Sequence, residues 1–85
     1  MKNYILSNHA EKVITERKIR HEWIDDAFSK PDKIEIDTKD NNLEHKLKII
    51  EEFDNRVLRV VCNKFVEPVM IVTAFFDRKM KGKIR

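Results

Sequence analysis

Two polar side chains interrupt apolar segments of this sequence at positions where they could meet a phosphate group. Arg59 stands inside the β-rich segment 57–62, and Thr73 stands inside 69–76, the most apolar run of the chain. Arginine suits phosphate best, because its planar guanidinium presents several N–H donors in a fixed fork. If one face of a sheet is open, these side chains would line it and bind a polyanion. In an alternative interpretation, Arg59 pairs with Glu51 across the sheet and Thr73 is simply a good strand former.

Basic residues are concentrated after the last apolar segment. Residues 77–85 contain five basic side chains and one acidic side chain, which leaves 13 basic and 14 acidic residues in 1–76. The formal net charge of +3 therefore comes from this C-terminal segment. A basic tail attracts polyanions, and without an amphipathic apolar face we expect nucleic acid rather than a membrane. Arg78, Lys79 and Lys81 are therefore candidate nucleic-acid-binding residues; a solvated terminus is the alternative.

Other kinds of chemistry find little support in the sequence. His9, His21 and His45 are far apart and have no Cys or carboxylate partners at ligand spacing, so we expect no metal. Gly82 is the only glycine, which argues against a glycine-rich phosphate loop and a nucleotide cofactor. Cys62, the only cysteine, cannot form an internal disulfide, and its apolar surroundings predict a buried, inert thiol.

The length and the apolar pattern predict one small α+β domain. We expect two N-terminal helices packed on one face of a four-stranded antiparallel sheet, in the order ααββββ. The predicted helices are 7–18, capped by Ser7 or Asn8, and 21–29. The predicted strands are 32–38, 43–53, 57–62 and 69–76, with a tight turn at Asp54 and Asn55. Segment 43–53 could also be read as a helix. The domain then divides into a helical hairpin (7–29), an antiparallel sheet (32–77) and a basic tail (78–85).

The sequence also carries expectations about compartment. No apolar run approaches the ~20 residues that a membrane-spanning helix needs, and the N-terminal segment is too short for a signal peptide. We therefore expect a cytoplasmic protein that does not contact membranes.

Three groups of residues resemble a widespread family of small bacterial domains of unknown function. The first is His9-Ala10 followed by Glu16-Arg17-x-Ile19, the second is Ala27-x-x-x-Pro31-Asp32-x-Ile34-Glu35, and the third is Val72-Thr73-Ala74-Phe75 with Arg78-Lys79. The opening pattern of that family is typically Ser-x-His-Ala-x-x-Arg-x-x-Glu-Arg-Gly-Ile. Two positions differ here, because Val13 replaces the arginine and Lys18 replaces the glycine. The layout is similar to that of the RelE/ParE toxins and the wider barnase, colicin and RelE ribonuclease-like fold.

This resemblance implies a toxin-like RNA-binding protein, or a metal-independent ribonuclease of a toxin–antitoxin system. In such a reaction the 2′-hydroxyl of the RNA attacks the adjacent phosphate, so the protein supplies a base, cations and a proton. The resemblance makes His9 the candidate acid or base, and Arg17 a second candidate catalytic residue that holds the phosphate. It also implies RNA and an antitoxin protein as partners, and a homodimer is possible. The alternative is a non-enzymatic module that binds nucleic acid or another protein.

Overall fold

Two helices cover one face of a five-stranded mixed sheet in the computed structural model, which describes residues 3–84. The helices are α1 (Asn8–Glu16) and α2 (His21–Ser29). The strands are β1 (Tyr4–Leu6), β2 (Lys33–Ile36), β3 (Leu43–Ile50), β4 (Arg56–Asn63) and β5 (Val69–Phe76), and 3₁₀ turns lie at Glu51–Phe53 and Arg78–Met80. The strand order across the sheet is β1-β5-β4-β3-β2. The α+β class and the two helices are therefore as predicted.

The core lies between the helices and one face of the sheet. Each helix buries a stripe of residues spaced three or four apart, Ala10, Val13 and Ile14 in α1 and Trp23, Ile24 and Ala27 in α2. Apart from Val13, these side chains form one core cluster with a sheet surface that includes Leu58, Val60, Cys62, Ile71 and Ala74. Helix α1 packs mainly on β5, whereas α2 packs on β3 and β4. Burial of each large aliphatic side chain contributes about 1.5–3 kcal/mol, which makes this interface the main source of stability.

The prediction of four antiparallel strands was wrong, because a fifth strand extends the sheet. Strand β1 pairs with β5 in parallel, with Tyr4 opposite Val69 and Leu6 opposite Ile71. The first helix was predicted to begin at residue 7, directly after Leu6. The helix begins only after Ser7, whose Oγ accepts a hydrogen bond from the Ala10 N–H at 3.0 Å. Leu6 is therefore free to continue a short strand.

Segment 43–53 forms a strand, as predicted, but only as far as Ile50. The next three residues form a 3₁₀ turn, and Asp54 and Asn55 then have φ values of 58° and 55°. Two successive residues with positive φ make the tight turn predicted at this point, of the kind that connects hairpin strands. Strand β4 occupies the centre of the sheet, and β5 lies between β4 and β1.

The sheet face away from the helices is not open, which corrects a second expectation. Leu47, Val57 and Val61 are almost fully buried, although the alternation of side chains places them opposite the helix-facing Leu58 and Val60. The C-terminal 3₁₀ turn contacts β4, and the Asp77 N–H donates to the Val57 carbonyl at 2.8 Å. The segment after β5 is therefore folded onto the sheet at its start rather than extended as a free tail.

No helix among residues 3–84 is both long enough and apolar enough to cross a membrane.

Candidate functional site

Arg59 lies at the centre of a charged network that consists of Glu35, Asp37, His45, Arg59 and Asp77. Its guanidinium bonds both Nε and Nη2 to Asp77 Oδ2, at 3.0 and 2.8 Å, and places Nη1 3.3 Å from Glu35 Oε1. Glu35 and Asp77 take the place that was predicted for Glu51. Glu35 on β2 and Asp77, the residue after β5, approach Arg59 from the two sides of β4. The Arg59 side chain is only 12% exposed. Two carboxylates therefore neutralise it, and it is not available for a phosphate.

His45 extends this network toward β2. Arg59 Nη1 lies 2.8 Å from His45 Nδ1, and His45 Nε2 lies 2.7 Å from Asp37 Oδ1. Because arginine only donates hydrogen bonds, Nδ1 must accept, and Nε2 carries the proton that is donated to Asp37. The hydrogen bond from His45 and those from two backbone N–H groups lower the pKa of Asp37. Both ring nitrogens of His45 are occupied within the protein, so the geometry is that of a structural network.

Glu35 completes the network at its outer edge. Desolvation opposes its ionisation, but hydrogen bonds from Lys33 and Arg59 outweigh that effect and lower its pKa. The sequence reasoning missed His45 and Asp37. Their signal was present in the alternation of 43–49, which places His45 on the same face as Leu43 and Leu47, but the register between strands was needed to bring it to Arg59.

A second feature, the basic cleft, lies where β5 ends and β4 begins. It has a volume of about 620 Å³. The lining residues are Arg17, Asp54, Arg56, Phe75, Phe76, Asp77, Arg78 and Lys81. Four of these side chains are cationic and two are anionic, so the cleft has a surplus of positive charge.

Two arginines of the basic cleft form no ion pair within residues 3–84. Strand β1 covers β5 only as far as Ile71, so the edge of β5 beyond it is free to accept Arg17 from the end of α1. Arg17 Nη1 donates to the Ala74 carbonyl at 2.7 Å. The Arg56 guanidinium lies 4.5 Å from the centroid of the Phe53 ring. These contacts hold the side chains in place without forming an ion pair, although the charge of Arg56 helps Lys81 to lower the pKa of Asp54.

Aromatic rings support this wall of the cleft. Phe53 lies 5.1 Å from Phe76 and 5.3 Å from Trp23, measured between ring centroids. Trp23 also meets Phe76 edge-on. Such packing holds Phe53 in place beneath Arg56 and leaves Phe76 as part of the cleft lining.

The other two cations come from the segment after β5. Lys81 Nζ forms an ion pair with Asp54 Oδ2 at 2.9 Å, and this hydrogen bond lowers the pKa of Asp54. Arg78 is exposed and forms no ion pair within residues 3–84. Asp77 Oδ1 accepts from the Lys79 N–H at 3.0 Å, which caps the 3₁₀ turn that carries Arg78. Asp77 therefore joins the charged network to the basic cleft.

The predicted site residues are only partly brought together. Arg17, Arg78 and Lys81 meet in the basic cleft, whereas Arg59 lies in the charged network. Thr73 stands opposite Val61 in the sheet and does not line the cleft.

His9 and Lys79 also lie outside the basic cleft. His9 is exposed on α1, and the rise of a helix separates it from Arg17 by about 12 Å along the axis. Lys79 is exposed next to Arg78 but is not part of the lining. Arg85, at the end of the predicted basic tail, lies outside the described residues. Arg56 was not predicted as a site residue; it begins β4, whose antiparallel pairing with β5 brings it beside the end of β5.

No group of three or more His, Cys, Asp or Glu side chains within residues 3–84 is arranged to hold a metal ion. Cys62 is buried, and desolvation raises the pKa of its thiol to about 11. A reactive thiolate is therefore not part of this site.

Residues 6–76 match a family described as a domain of unknown function, DUF4258. The chain belongs to this family. The matched residues include both helices, strands β2 to β5, and Arg17, Asp54 and Arg56 of the basic cleft, whereas Asp77, Arg78 and Lys81 follow them. No curated protein and no solved structure gave a match to the chain. The family description assigns no activity, so the function has to be argued from the site.

Proposed function

We propose that this protein is a toxin-like RNA-binding protein, and that its basic cleft holds the ribose-phosphate backbone of a single-stranded segment. The observation that carries the proposal is the meeting of Arg17, Arg56 and Arg78 in one cleft, where none of the three forms an ion pair with a carboxylate of residues 3–84. A guanidinium whose charge is not neutralised is the preferred protein ligand for a phosphate oxygen.

The chemistry of the lining fits an unpaired strand better than a duplex. Phe75 and Phe76 stand among the cations, and both are partly exposed. Aromatic side chains next to basic ones are the usual means of holding single-stranded nucleic acid, because bases stack on the rings while the cations track the phosphates. The choice of RNA over DNA rests on the resemblance to the RelE/ParE toxins, and that likeness of fold is part of the proposal.

Binding is better supported than cleavage. Metal-independent cleavage needs a base whose pKa lies near neutrality. No histidine is present among the described residues that line the cleft, and the pKa of Asp54 is lowered by Lys81, which makes it a weaker base. His9 and Arg17 remain the candidate catalytic pair only if bound RNA also reaches the outer surface of α1.

The decisive experiment compares Arg78→Ala with Lys79→Ala. The two variants lose the same charge from neighbouring exposed positions, but only Arg78 lines the basic cleft. Affinity for a fluorescent single-stranded RNA is measured by anisotropy over a range of salt concentrations. Arg78→Ala is expected to weaken binding about 10-fold, as for the loss of ~1.4 kcal/mol, and to reduce the slope of log affinity against log salt by about 0.7.

Lys79→Ala should change the affinity less than about 3-fold, as expected for a charge that acts only at long range. Equal losses in both variants would refute a defined cleft and leave only diffuse attraction to the basic segment. A wild-type protein that does not bind RNA would refute the proposal altogether. A DNA strand of the same sequence tests the choice of RNA.

Cleavage is tested separately on structured RNA, with products resolved on a denaturing gel. Intact RNA together with binding supports a non-enzymatic RNA-binding protein. Cleavage that is lost in His9→Ala would establish the ribonuclease and the role of His9, whereas cleavage that persists would remove His9 from the mechanism. Suppression of either activity by a co-purifying protein would identify the antitoxin.

A further inference from the structure

Strand β2 is an edge strand with an unpaired side. Within residues 3–84 it pairs with β3 only, in a register that places Glu35 opposite His45. The Asp37 N–H donates to the Leu43 carbonyl in the same register. Because hydrogen bonding alternates along an antiparallel pair, Ile34 and Ile36 turn their backbone N–H and C=O groups toward the free edge.

The side chains of these two residues are exposed as well. Ile34 is 51% exposed and Ile36 is 49% exposed. Natural edge strands are usually protected by a central lysine, a proline, a bulge or a very short length. Strand β1 at the opposite edge has only three residues, whereas β2 has four and carries two β-branched apolar side chains. This combination is typical of a strand that pairs with another strand.

We propose that two copies of this chain pair through their β2 strands, antiparallel, with Glu35 of each copy facing the other across a two-fold axis. The charge pattern of β2 supports a second copy as the occupant. In this register Lys33 faces the partner's Asp37, and Ile34 faces the partner's Ile36. The ion pair and the apolar pair each occur twice because the axis repeats them.

The two glutamates at the axis do not oppose this arrangement strongly. Lys33 Nζ lies 3.3 Å from Glu35 Oε2, and Arg59 Nη1 lies 3.3 Å from Glu35 Oε1. Each carboxylate is therefore compensated within its own protomer. A register shifted to place Ile34 on the axis would keep one apolar pair, between the two copies of Ile34, but would set Ile36 opposite the partner's Asp32 and so lose the second.

The dimer goes beyond RNA binding and does not depend on it. Pairing at β2 would join two five-stranded sheets into one of ten strands. The basic cleft lies at the ends of β4 and β5, which are separated from β2 by β3, so both clefts stay accessible. Two clefts on one particle would increase the avidity for a long RNA.

The first test is sedimentation velocity of the full-length protein from micromolar to millimolar concentration. The contact is small, so a dimer is expected in the upper part of this range. The double variant Ile34→Lys/Ile36→Lys should remain monomeric throughout. Ile5→Lys is the matched control, because Ile5 is an exposed isoleucine on the opposite edge strand, and it should dimerise as the wild type does.

The second test fixes the register by disulfide formation. Glu35 occupies a non-hydrogen-bonded position on the axis, where facing Cα atoms approach to about 4.5 Å, close enough for a disulfide. Glu35→Cys should therefore form a covalent dimer under mild oxidation, whereas Lys33→Cys should not. The buried Cys62 adds no background.

Each result decides the matter. A wild-type protein that is monomeric at every concentration, or a dimer that survives Ile34→Lys/Ile36→Lys, would overturn the proposal, and so would equal cross-linking of the two cysteine variants. If β2 binds a different protein and this chain alone stays monomeric, the proposal is overturned in the same way. Because no RNA is present, failure here leaves the proposed function untouched.

Discussion

Replacing Arg59 by alanine should destabilise this domain more than the removal of any exposed arginine. The substitution removes from Asp77 a charge-assisted hydrogen bond and the 2.8 Å ion-pair contact with Nη2, and it removes one hydrogen bond each from Glu35 and His45. Removing one partner of a fully buried ion pair costs ~3–5 kcal/mol. The Asp77 and Glu35 side chains are 17% and 36% exposed, so water recovers part of their solvation. We therefore expect a loss of about 2–4 kcal/mol.

The loss is large for a domain of 85 residues. Such domains have a total stability of about 4–13 kcal/mol, and a melting temperature that falls ~4–8 °C for each kcal/mol lost. Urea unfolding followed by the fluorescence of Trp23, the only tryptophan, measures the change directly. Arg20→Ala is the control, since Arg20 is 60% exposed in its ion pairs with Glu22 and Glu52 and its removal should cost no more than ~1 kcal/mol.

Equal losses in Arg59→Ala and Arg20→Ala would refute the network as a source of stability.

A second consequence concerns the basic cleft. Asp77, held by Arg59, caps the turn that carries Arg78. RNA affinity should therefore fall in Arg59→Ala even under conditions where the variant is fully folded. Arg59→Lys, which keeps the charge but not the planar fork, should recover less than half of the lost stability.

Three further predictions concern stability and reactivity. Lys18 has a φ of 55°, a left-handed conformation that glycine adopts without strain. Lys18→Gly should therefore stabilise the fold by about 0.5–1 kcal/mol. Lys18→Ala is the control, and an equal gain in stability in that variant would contradict this reasoning. The pKa values of Asp37 and Glu35 are lowered in the folded state, so their contribution to the free energy of unfolding is complete above about pH 5 and is lost as the pH falls below about 4. Urea unfolding at several pH values should show that Asp37→Asn loses less stability in acid than the wild type does. An identical loss in both proteins would refute the role of these carboxylates. Burial raises the pKa of the Cys62 thiol to about 11, so a thiol reagent at pH 8 should label it only after unfolding, and rapid labelling of the native protein would contradict that burial.

The helices and most strands could be predicted from the sequence because their patterns are local. The stripe of Trp23, Ile24 and Ala27 fixed the second helix to the residue, and the apolar run Val69–Phe76 fixed the last strand. Strand β1 escaped prediction because three residues cannot show an alternation. Its pairing is also with β5, 65 positions along the chain, so no nearby turn signalled it.

The charged network could not be predicted because it depends on strand register. A two-residue turn at Asp54 and Asn55 would pair Phe53 with Arg56 and turn Arg59 to the face opposite His45. The 3₁₀ turn Glu51–Phe53 takes three residues out of the ladder, so that Ile50 pairs with Arg56 instead. A change of three residues exchanges the two faces of β3, and only then do His45 and Arg59 share a face.

Only some of the residues that line the basic cleft were predicted from the sequence. Arg78 and Lys81 stood out as part of a cationic segment, and Arg17 through the family resemblance. Arg56 was not predicted, because its place beside them results from the antiparallel pairing of β4 with β5. That pairing brings the start of β4 next to the end of β5.

The parallel pairing of β1 with β5 has a consequence for how the chain acquires its structure. Tyr4–Leu6 has no place in the sheet until Val69–Phe76 has been synthesised, and the Ser7 N–H, at the start of α1, donates to the carbonyl of Ile71. Helix α1, which packs mainly on β5, must wait with its apolar face uncovered during translation. Contacts between distant parts of a chain also slow folding. The nascent protein should therefore become compact late and in a single step, after almost all of the domain has left the ribosome.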